Sequence, residues 1–310
     1  MRLLISETQT SDLTSVKMLW ADGDVMRYVG YPEGLKQTDL QMEHWLKWIT
    51  ETSHTKHYTL KTDDLGFIGE SFYQLRVEHT EAIIDIKLLK KARGKALGER
   101  ALCFTLDQLF RDTPALTAVV DPHCENLGAI SLYHKLGFQD DEIFLYENEP
   151  HQKMILTKDN WRCLRLEQVR LEAIDKSNYI EASQLKVKED QVNFVATNAF
   201  SIAQTIFEDT HAFAIYSGKT MVGFMMDGVD PDDSVYWIIR LMIDQHYQGL
   251  GYGRKAMEIA MERGLLLSGK NKMNISFEPE NTHAKQLYES LGFVSTGIYE
   301  DGEIVYEKTW

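Results

Sequence analysis

Cysteine is scarce in this chain, with three in 310 residues. Cys103, Cys124 and Cys163 are too few and too scattered for a disulfide framework, and no Cys-x-x-Cys pair supplies a zinc or redox motif. They read as ordinary reduced thiols, and no metal is expected. Long apolar runs are lacking too. Nothing approaches the roughly eighteen residues needed to cross a bilayer, and Met1-Arg2-Leu3-Leu4-Ile5-Ser6 passes into Glu7 without the apolar region of a signal peptide. A cytoplasmic protein with no membrane partner is expected. Positive charge is short: 33 Lys and Arg face 47 Asp and Glu, for a formal net charge of −14. Such a field repels nucleic acid, so no nucleic-acid partner is expected, and it raises the local concentration of a cationic small molecule. The same acidity also serves solubility alone. Finally, no Pro/Gly/Ser-rich linker and no low-complexity segment interrupts the chain, although its length allows two domains of ordinary size.

What is present is an internal repeat. A shift of 155 residues places Arg93 on Gln248, Gly98 on Gly253, Asn126 on Asn281, Tyr133 on Tyr288, and Leu136-Gly137-Phe138 on Leu291-Gly292-Phe293. Self-similarity at one fixed offset is something composition cannot produce, so the chain reads as two domains of nearly equal size, 1–159 and 160–310. Lys153 to Leu156 reads as the last strand of the first domain and Leu164-Arg165-Leu166 as the first strand of the second.

In the second half, Ser177 to Glu208 suggests short helices and loops. His211 to Tyr216 and Met221 to Met226 flank a hairpin at Ser217-Gly218-Lys219. Val235 to Ile243 is almost continuously apolar, as a central strand covered on both faces would be. After a glycine-rich turn, Ala256, Met257, Ala260, Met261 and Leu265 recur at helical spacing with one buried face. Lys272 to Phe277 reads as a strand, Ala284 to Ser290 as a helix ended by Gly292, and Val294 to Tyr306 as a hairpin around Asp301-Gly302.

The turn Gln248-Gly249-Leu250-Gly251-Tyr252-Gly253 lies between a buried strand and a helix. Backbone N–H groups at a helix start, together with the helix dipole, make a phosphate cradle there, and glycine lets phosphate oxygens approach the backbone. Gln248 and Arg254 can add side-chain donors at the edges. The turn lacks the Gly-Lys-Ser/Thr ending of a P-loop and the complete Gly-x-Gly-x-x-Gly dinucleotide fingerprint. Taken alone it is equally compatible with a purely structural turn.

Followed by Asn281 and by Leu287-Tyr288-Glu289-Ser290-Leu291-Gly292-Phe293, this turn resembles the GNAT superfamily of acetyl-CoA-dependent N-acetyltransferases, over residues 164–310. The run Leu241 to Gly253 looks most like bacterial spermine/spermidine acetyltransferases. The resemblance implies an α/β (α+β) class with two tandem GNAT folds, each a mixed, mostly antiparallel central sheet flanked by helices. It further implies acetyl-CoA as co-substrate and direct attack of a neutral amine on the thioester. Backbone N–H groups near Leu241, Met242 and Ile243 would stabilise the oxyanion, and Tyr288 would protonate the leaving thiolate. Leu250 stands where those enzymes often carry lysine. Asn281 would contact the pantetheine arm, a role compatible with capping the helix ahead of Ala284.

No carboxylate lies on Val235 to Ile243, so the general base is not assigned. Among Asp227, Asp230, Asp232 and Asp233, Asp227 is the candidate for recognising the substrate ammonium, while a solvated acidic loop accounts for most of them. The partners expected are a small-molecule amine, polyamine-like, and a second copy of the chain in a homodimer. Peptide N-termini and aminoglycosides are alternative acceptors, and a non-catalytic acyl-CoA sensor or scaffold is the alternative of another class.

In the first half, Asp24 to Gly30, Ala82 to Leu89 and Arg93-Gly94-Lys95-Ala96-Leu97-Gly98 resemble GNAT enzymes of the ribosomal-protein alanine acetyltransferase type. Ala96 stands where the pattern prefers glycine, and its methyl group would crowd a phosphate cradle. Arg93, Gly94, Ala96, Gly98, Asn126 and Tyr133 therefore form a second site, either degenerate, with the domain shaping the substrate, or active.

Overall fold

The hairpins expected around short polar turns form, and they assemble one sheet in each half of the chain. The computed structural model describes residues 2–76, 80–268 and 270–310. The chain divides into two units, Met1–Leu164 and Arg165–Trp310.

In the first unit the order is β1 (Leu3–Glu7), α1 (Leu13–Trp20), α2 (Gly23–Met26), α3 (Asp39–Glu51), β2 (Thr55–Thr62), β3 (Gly66–Leu75), β4 (Glu81–Leu88), α4 (Leu97–Asp112), β5 (Thr117–Val120), α5 (Leu127–Lys135), β6 (Gln139–Tyr146) and β7 (Glu149–Thr157). The strands lie in the order β1-β2-β3-β4-β5-β7-β6. Every pair is antiparallel except β4 with β5. The edge strand β6 carries Asp140, Asp141 and Glu142 in its exposed stretch, and such charge discourages pairing with another sheet.

A helix, α6 (Lys158–Glu167), leads into β8 (Val169–Ala173), α7 (Tyr179–Ser183), α8 (Asn198–Gln204), β9 (Thr210–Ser217), β10 (Thr220–Val229), β11 (Tyr236–Ile243), α9 (Tyr252–Leu267), β12 (Lys272–Phe277), α10 (Thr282–Ser290), β13 (Val294–Glu300) and β14 (Glu303–Thr309). The second sheet repeats the first, β8-β9-β10-β11-β12-β14-β13, with β11 and β12 as its parallel pair. The mixed, mostly antiparallel sheets flanked by helices match the expected class.

Two local readings are corrected. Leu164-Arg165-Leu166 is helical within α6, and the first strand of the second unit begins at Val169. The partition between units falls inside that helix, beyond Asp159. Leu166 packs on the second unit's core and Arg165 is buried, so the apolar residues that suggested a strand serve a helix face instead. On α9, Ala256, Met257 and Ala260 are buried, but Leu265 is exposed. Gly264 takes the buried position. A Cβ there would stand 2.7 Å from Tyr236 and 2.9 Å from Met273, so the helix approaches the sheet more closely than leucine permits. Burying Met257 contributes on the order of 2 kcal/mol to this packing. Among the described residues, no helix is long and apolar enough to cross a membrane. Cys103 is buried and Cys163 exposed, with neither in a disulfide.

Candidate active site

The parallel pair opens a gap in the second sheet. β11 pairs with β12 only at Tyr236, Trp237 and Ile238, opposite Met273, Asn274 and Ile275, while both strands run on. Its other edge stays paired with β10 as far as Ile243. Between Met226 and Asp227 the register slips, so that Arg240 and Ile238 face consecutive residues of β10 and Ile239 is an extra residue. This bulge changes the strand's phase. Tyr236 and Ile238 pack on the core beneath α9, and beyond the bulge it is Leu241 and Ile243 that do so, whereas Ile239 and Met242 pack on the opposite face. A bulge beside a gap re-aims side chains and leaves backbone groups without a ladder partner, an arrangement common next to active sites.

A cavity of about 270 Å³ occupies the gap. Ile238 to Leu241 line one side and Ile275, Ser276 and Phe277 another, with Asn193 to Ala196 from the segment before α8. Asn281, Tyr288 and Glu303 complete the lining, so Leu241, Asn281 and Tyr288 meet in one place. Asn281 caps α10 by accepting the N–H of Ala284 at 3.1 Å. Tyr288 packs against Phe277 and Phe293 with ring centroids 5.3 and 6.0 Å away. Burial, reinforced by the negative charge of Glu303, pushes its phenol well above the ordinary tyrosine value. It therefore stays protonated at neutral pH.

Glu303 is the carboxylate that sequence reasoning missed. It begins β14 and accepts a hydrogen bond from the Ser276 hydroxyl. No motif surrounds it, and it reaches the cavity only because β14 pairs with β12, placing Phe277 opposite Ile304. Arg240 was missed as well. It donates to the carbonyl of Ile239 at 2.7 Å, and its buried Nε has no partner among the described residues.

The glycine turn lies at the end of β11. Gly249 and Gly251 have φ of +81° and +94°, a left-handed backbone that favours glycine, and Gly251 caps α9. The first helical hydrogen bond runs from Lys255 N–H to the Gly251 carbonyl, so the N–H groups of Gly253 and Arg254 lie where the helix offers no acceptor. A Cβ on Gly253 would meet only ordinary contacts, 3.6 Å from Ile243 and Leu287, and one on Gly249 would meet nothing within 4 Å. Gly249 is favoured by its left-handed backbone alone, whereas neither packing nor a positive φ requires glycine at Gly253.

Other proposed residues are occupied differently. Gln248 donates both amide hydrogens internally, to the Ile243 carbonyl at 3.0 Å and to Gln191 at 2.8 Å, so it braces the turn and has none left for a phosphate. Tyr252 is buried with its hydroxyl accepting from Arg165, and Leu250 packs on the core. Arg254 is exposed and donates to Ser290 at 2.6 Å. Asp227 lies outside the cavity. Its carboxylate is wholly buried, accepting from Arg263 at 2.8 Å and from the Tyr236 hydroxyl, and it ties β10 to α9. At the end of β11, burial pushes the Asp244 carboxyl up, but hydrogen bonds from His246 and the Lys186 N–H outweigh that and hold it below the usual value. Asp244 thereby fastens the strand end to the segment after α7.

The first unit repeats the design with changes. Gly94 and Ala96 have φ of +72° and +58°, with Ala96 capping α4 as Gly251 caps α9. Arg93 donates to the carbonyls of Leu88 and Asp24 at 3.0 and 3.2 Å. A Cβ on Gly98 would press on the side-chain ends of Leu88 and Leu132 at 3.1 and 3.3 Å, a tighter fit than at Gly253. Asn126 caps α5 through Ala129, and Tyr133 is buried, its phenol pushed up by burial and by the charges of Asp85 and Asp121. β3 and β4 pair from Gly69 opposite Leu88 to Leu75 opposite Ala82 with no bulge.

Comparison with known proteins places both halves in one family. Residues 178–293 match the acetyltransferase (GNAT) family, and residues 2–139 match an acetyltransferase (GNAT) domain, without singling out the ribosomal-protein alanine type. A probable spermine N(1)-acetyltransferase of Bacillus subtilis subsp. natto (strain BEST195) is 25% identical over 150 residues, 45% of this chain and 97% of that protein. The spermine/spermidine N(1)-acetyltransferase of Bacillus subtilis (strain 168) matches to the same extent. Among solved structures, the spermidine N-acetyltransferase of Vibrio cholerae with CoA and spermine is 16% identical, with a TM-score of 0.47 over 51% of this chain and 97% of that chain. An aminoglycoside acetyltransferase in complex with coenzyme A is 19% identical, with a TM-score of 0.45 over 52% of this chain and 98% of that one.

Proposed function

Both halves of the chain belong to the GNAT family of acetyltransferases, whose acetyl donor is acetyl-CoA, and we propose that transfer takes place in the second unit, onto a primary amine of polyamine type. The observation that carries this reading is the convergence of the unpaired edge of β11, Tyr288 and Glu303 on one cavity. The left-handed turn before α9 would hold the pyrophosphate, and Asn281 borders the path from it. The substrate ammonium first gives a proton to Glu303 or through water to solvent, and the neutral amine nitrogen then bonds to the thioester carbonyl carbon as the carbonyl π pair moves onto oxygen. Backbone N–H groups of β11 beyond Ile238 face the developing oxyanion, and donors of this kind are worth about 3 kcal/mol of barrier. As the C–S bond breaks, the Tyr288 phenol protonates the thiolate, and the second proton shed by the acylated nitrogen passes through water to restore the phenol.

In this reading the first unit retains the fold and not the reaction. Ala96 puts a methyl group in the turn, and the strand beside it lacks the bulge. A second class of acceptor, an amine that also carries an acid group, is favoured by Arg240, a cation that lines the cavity. The test is release of CoA thiol with acetyl-CoA and a panel of polyamines, aminoglycosides, amino acids and peptide N-termini. Turnover with spermidine or spermine above the others supports the proposal. Preference for amino acids or peptides selects the Arg240 reading, and no release with any amine would leave an acyl-CoA-binding protein without transfer.

A further inference from the structure

Gly249, Gly251 and Gly253 give the turn before α9 its freedom to present N–H groups, and the same freedom leaves the direction of those groups unfixed. The glycines alternate with Leu250 and Tyr252, so within 249–253 only these two side chains can hold the backbone in one shape. Leu250 packs on the core. Tyr252, the first residue of α9, is held at both ends. Its ring is 1% exposed within the core, and its hydroxyl accepts a hydrogen bond from Arg165 Nε at 3.0 Å.

Arg165 stands on α6, the helix in which the chain passes from the first unit to the second. It is buried. A second nitrogen of its guanidinium donates to the Ser217 carbonyl at 2.8 Å, and the Ser217 hydroxyl donates in turn to the Arg165 carbonyl at 2.7 Å. The planar fork is thus fixed by the end of β9 on one side and reaches Tyr252 on the other. Its central carbon lies 5.8 Å from the centre of the Tyr252 ring. That places a buried cation within one tyrosine side chain of the positive end of the α9 dipole, a field that opposes it. An anion bound at the helix start reverses the balance.

The first unit lacks this tie. At the offset of 155 residues Leu97 stands in the place of Tyr252, and it packs on the core of its unit as an apolar anchor without a hydroxyl. The polar tie therefore accompanies the turn with three glycines and is missing from the turn that Ala96 already restricts.

We propose that Arg165 is a positioning residue for the cofactor: by holding the Tyr252 hydroxyl it fixes the start of α9, and with it the direction of the Gly253 and Arg254 N–H groups toward the pyrophosphate of CoA. This rests on the reading that the turn holds the pyrophosphate. Arg165 acts through Tyr252 and not on the ligand.

Calorimetric titration of the whole chain with CoA, alongside thermal melts, tests this. Tyr252→Phe keeps the ring and removes the hydroxyl, and it should weaken CoA binding about fivefold. Arg165→Met should weaken it at least about tenfold, since misdirected donors lose more than a single hydrogen bond. The double variant should bind no more weakly than Arg165→Met, because both substitutions break one tie. If Arg165→Met fails to fold, Tyr252→Phe carries the test. A purely structural tie would lower the melting temperature and leave the affinity of the folded chain alone. CoA binding in Tyr252→Phe and in folded Arg165→Met that matches the unaltered chain overturns the proposal and leaves the transfer reading standing. Absence of CoA release with every amine, beside CoA binding that depends on Tyr252, ends the transfer reading and leaves this proposal standing. No CoA binding by the unaltered chain overturns both.

Discussion

The two units share strand order, the single parallel pair and a left-handed turn before the long helix, and they part at three points on the same path. The turn carries Gly251 in one and Ala96 in the other. The strand leading to it is bulged at Ile239 in one and regular in the other. On the face away from the long helix, Phe224 opposite Met242 belongs to an apolar core in the second unit. The corresponding pair in the first, counted from Gly69 and Gly223, is Glu70 opposite Lys87. One frame therefore supports either a bared, re-aimed strand end or a regular strand fixed by buried charge. The frame is cheap to copy, and the site depends on local departures from it.

The comparison breaks most sharply at the tyrosines. Tyr288→Phe removes the proposed acid and should lower kcat at least about a hundredfold, whereas Tyr133→Phe should leave it within a few-fold. CoA release under saturating amine measures both, and an equal loss in the two variants would mean that both units catalyse.

The next effect is acid sensitivity of the first unit. Glu70 accepts from Trp20 at 2.8 Å, has Lys87 Nζ at 3.5 Å, and has His57 Nε2 3.2 Å away. Burial alone would push its carboxyl up, but Lys87 and His57 outweigh this and hold it at about 2. Since the folded value lies below the unfolded one, the stability this pair gives is complete above about pH 5 and is lost as pH falls toward 2. Thermal melts from pH 6 to 2.5 should show the decline, and Glu70→Gln should lower stability at pH 6 while flattening the slope. An unchanged slope would remove Glu70 as its source.

The smallest effect is at the turns. Gly251→Ala places a Cβ at positive φ and should cost about 1 kcal/mol of stability along with affinity for acetyl-CoA. Ala96→Gly should be neutral or stabilising by up to about 1 kcal/mol. Urea unfolding reads the stabilities, and calorimetry with acetyl-CoA should give one tight site in the unaltered chain. Two tight sites would show that a methyl at Ala96 does not spoil the cradle.

Much of the frame is legible because its signals are local. The glycine that ends a helix at Gly292 and the cap at Asn281 each depend on residues within a few positions of one another, and the repeat shows as short local motifs that recur at one offset. The continuous apolar run Val235 to Ile243 shows that β11 is buried on both faces, and for that reason conceals the bulge: with no alternation to interrupt, a change of phase leaves no trace. The surroundings of Asp227 are concealed for a related reason. Its place just after an apolar run suggested a route to the cavity, yet its partner Arg263 lies 36 positions away on the next helix.

The sequence by itself determined two copies of one fold, the position of each helix-opening turn, and the tyrosine that follows, since backbone conformation and helix capping are decided by near neighbours. Only the tertiary structure decided which charged groups face the cavity. Glu303 and Arg240 reach their places through strand pairing across the sheet and through a one-residue slip in β11, and pairing between distant segments leaves no periodicity for the chain to display.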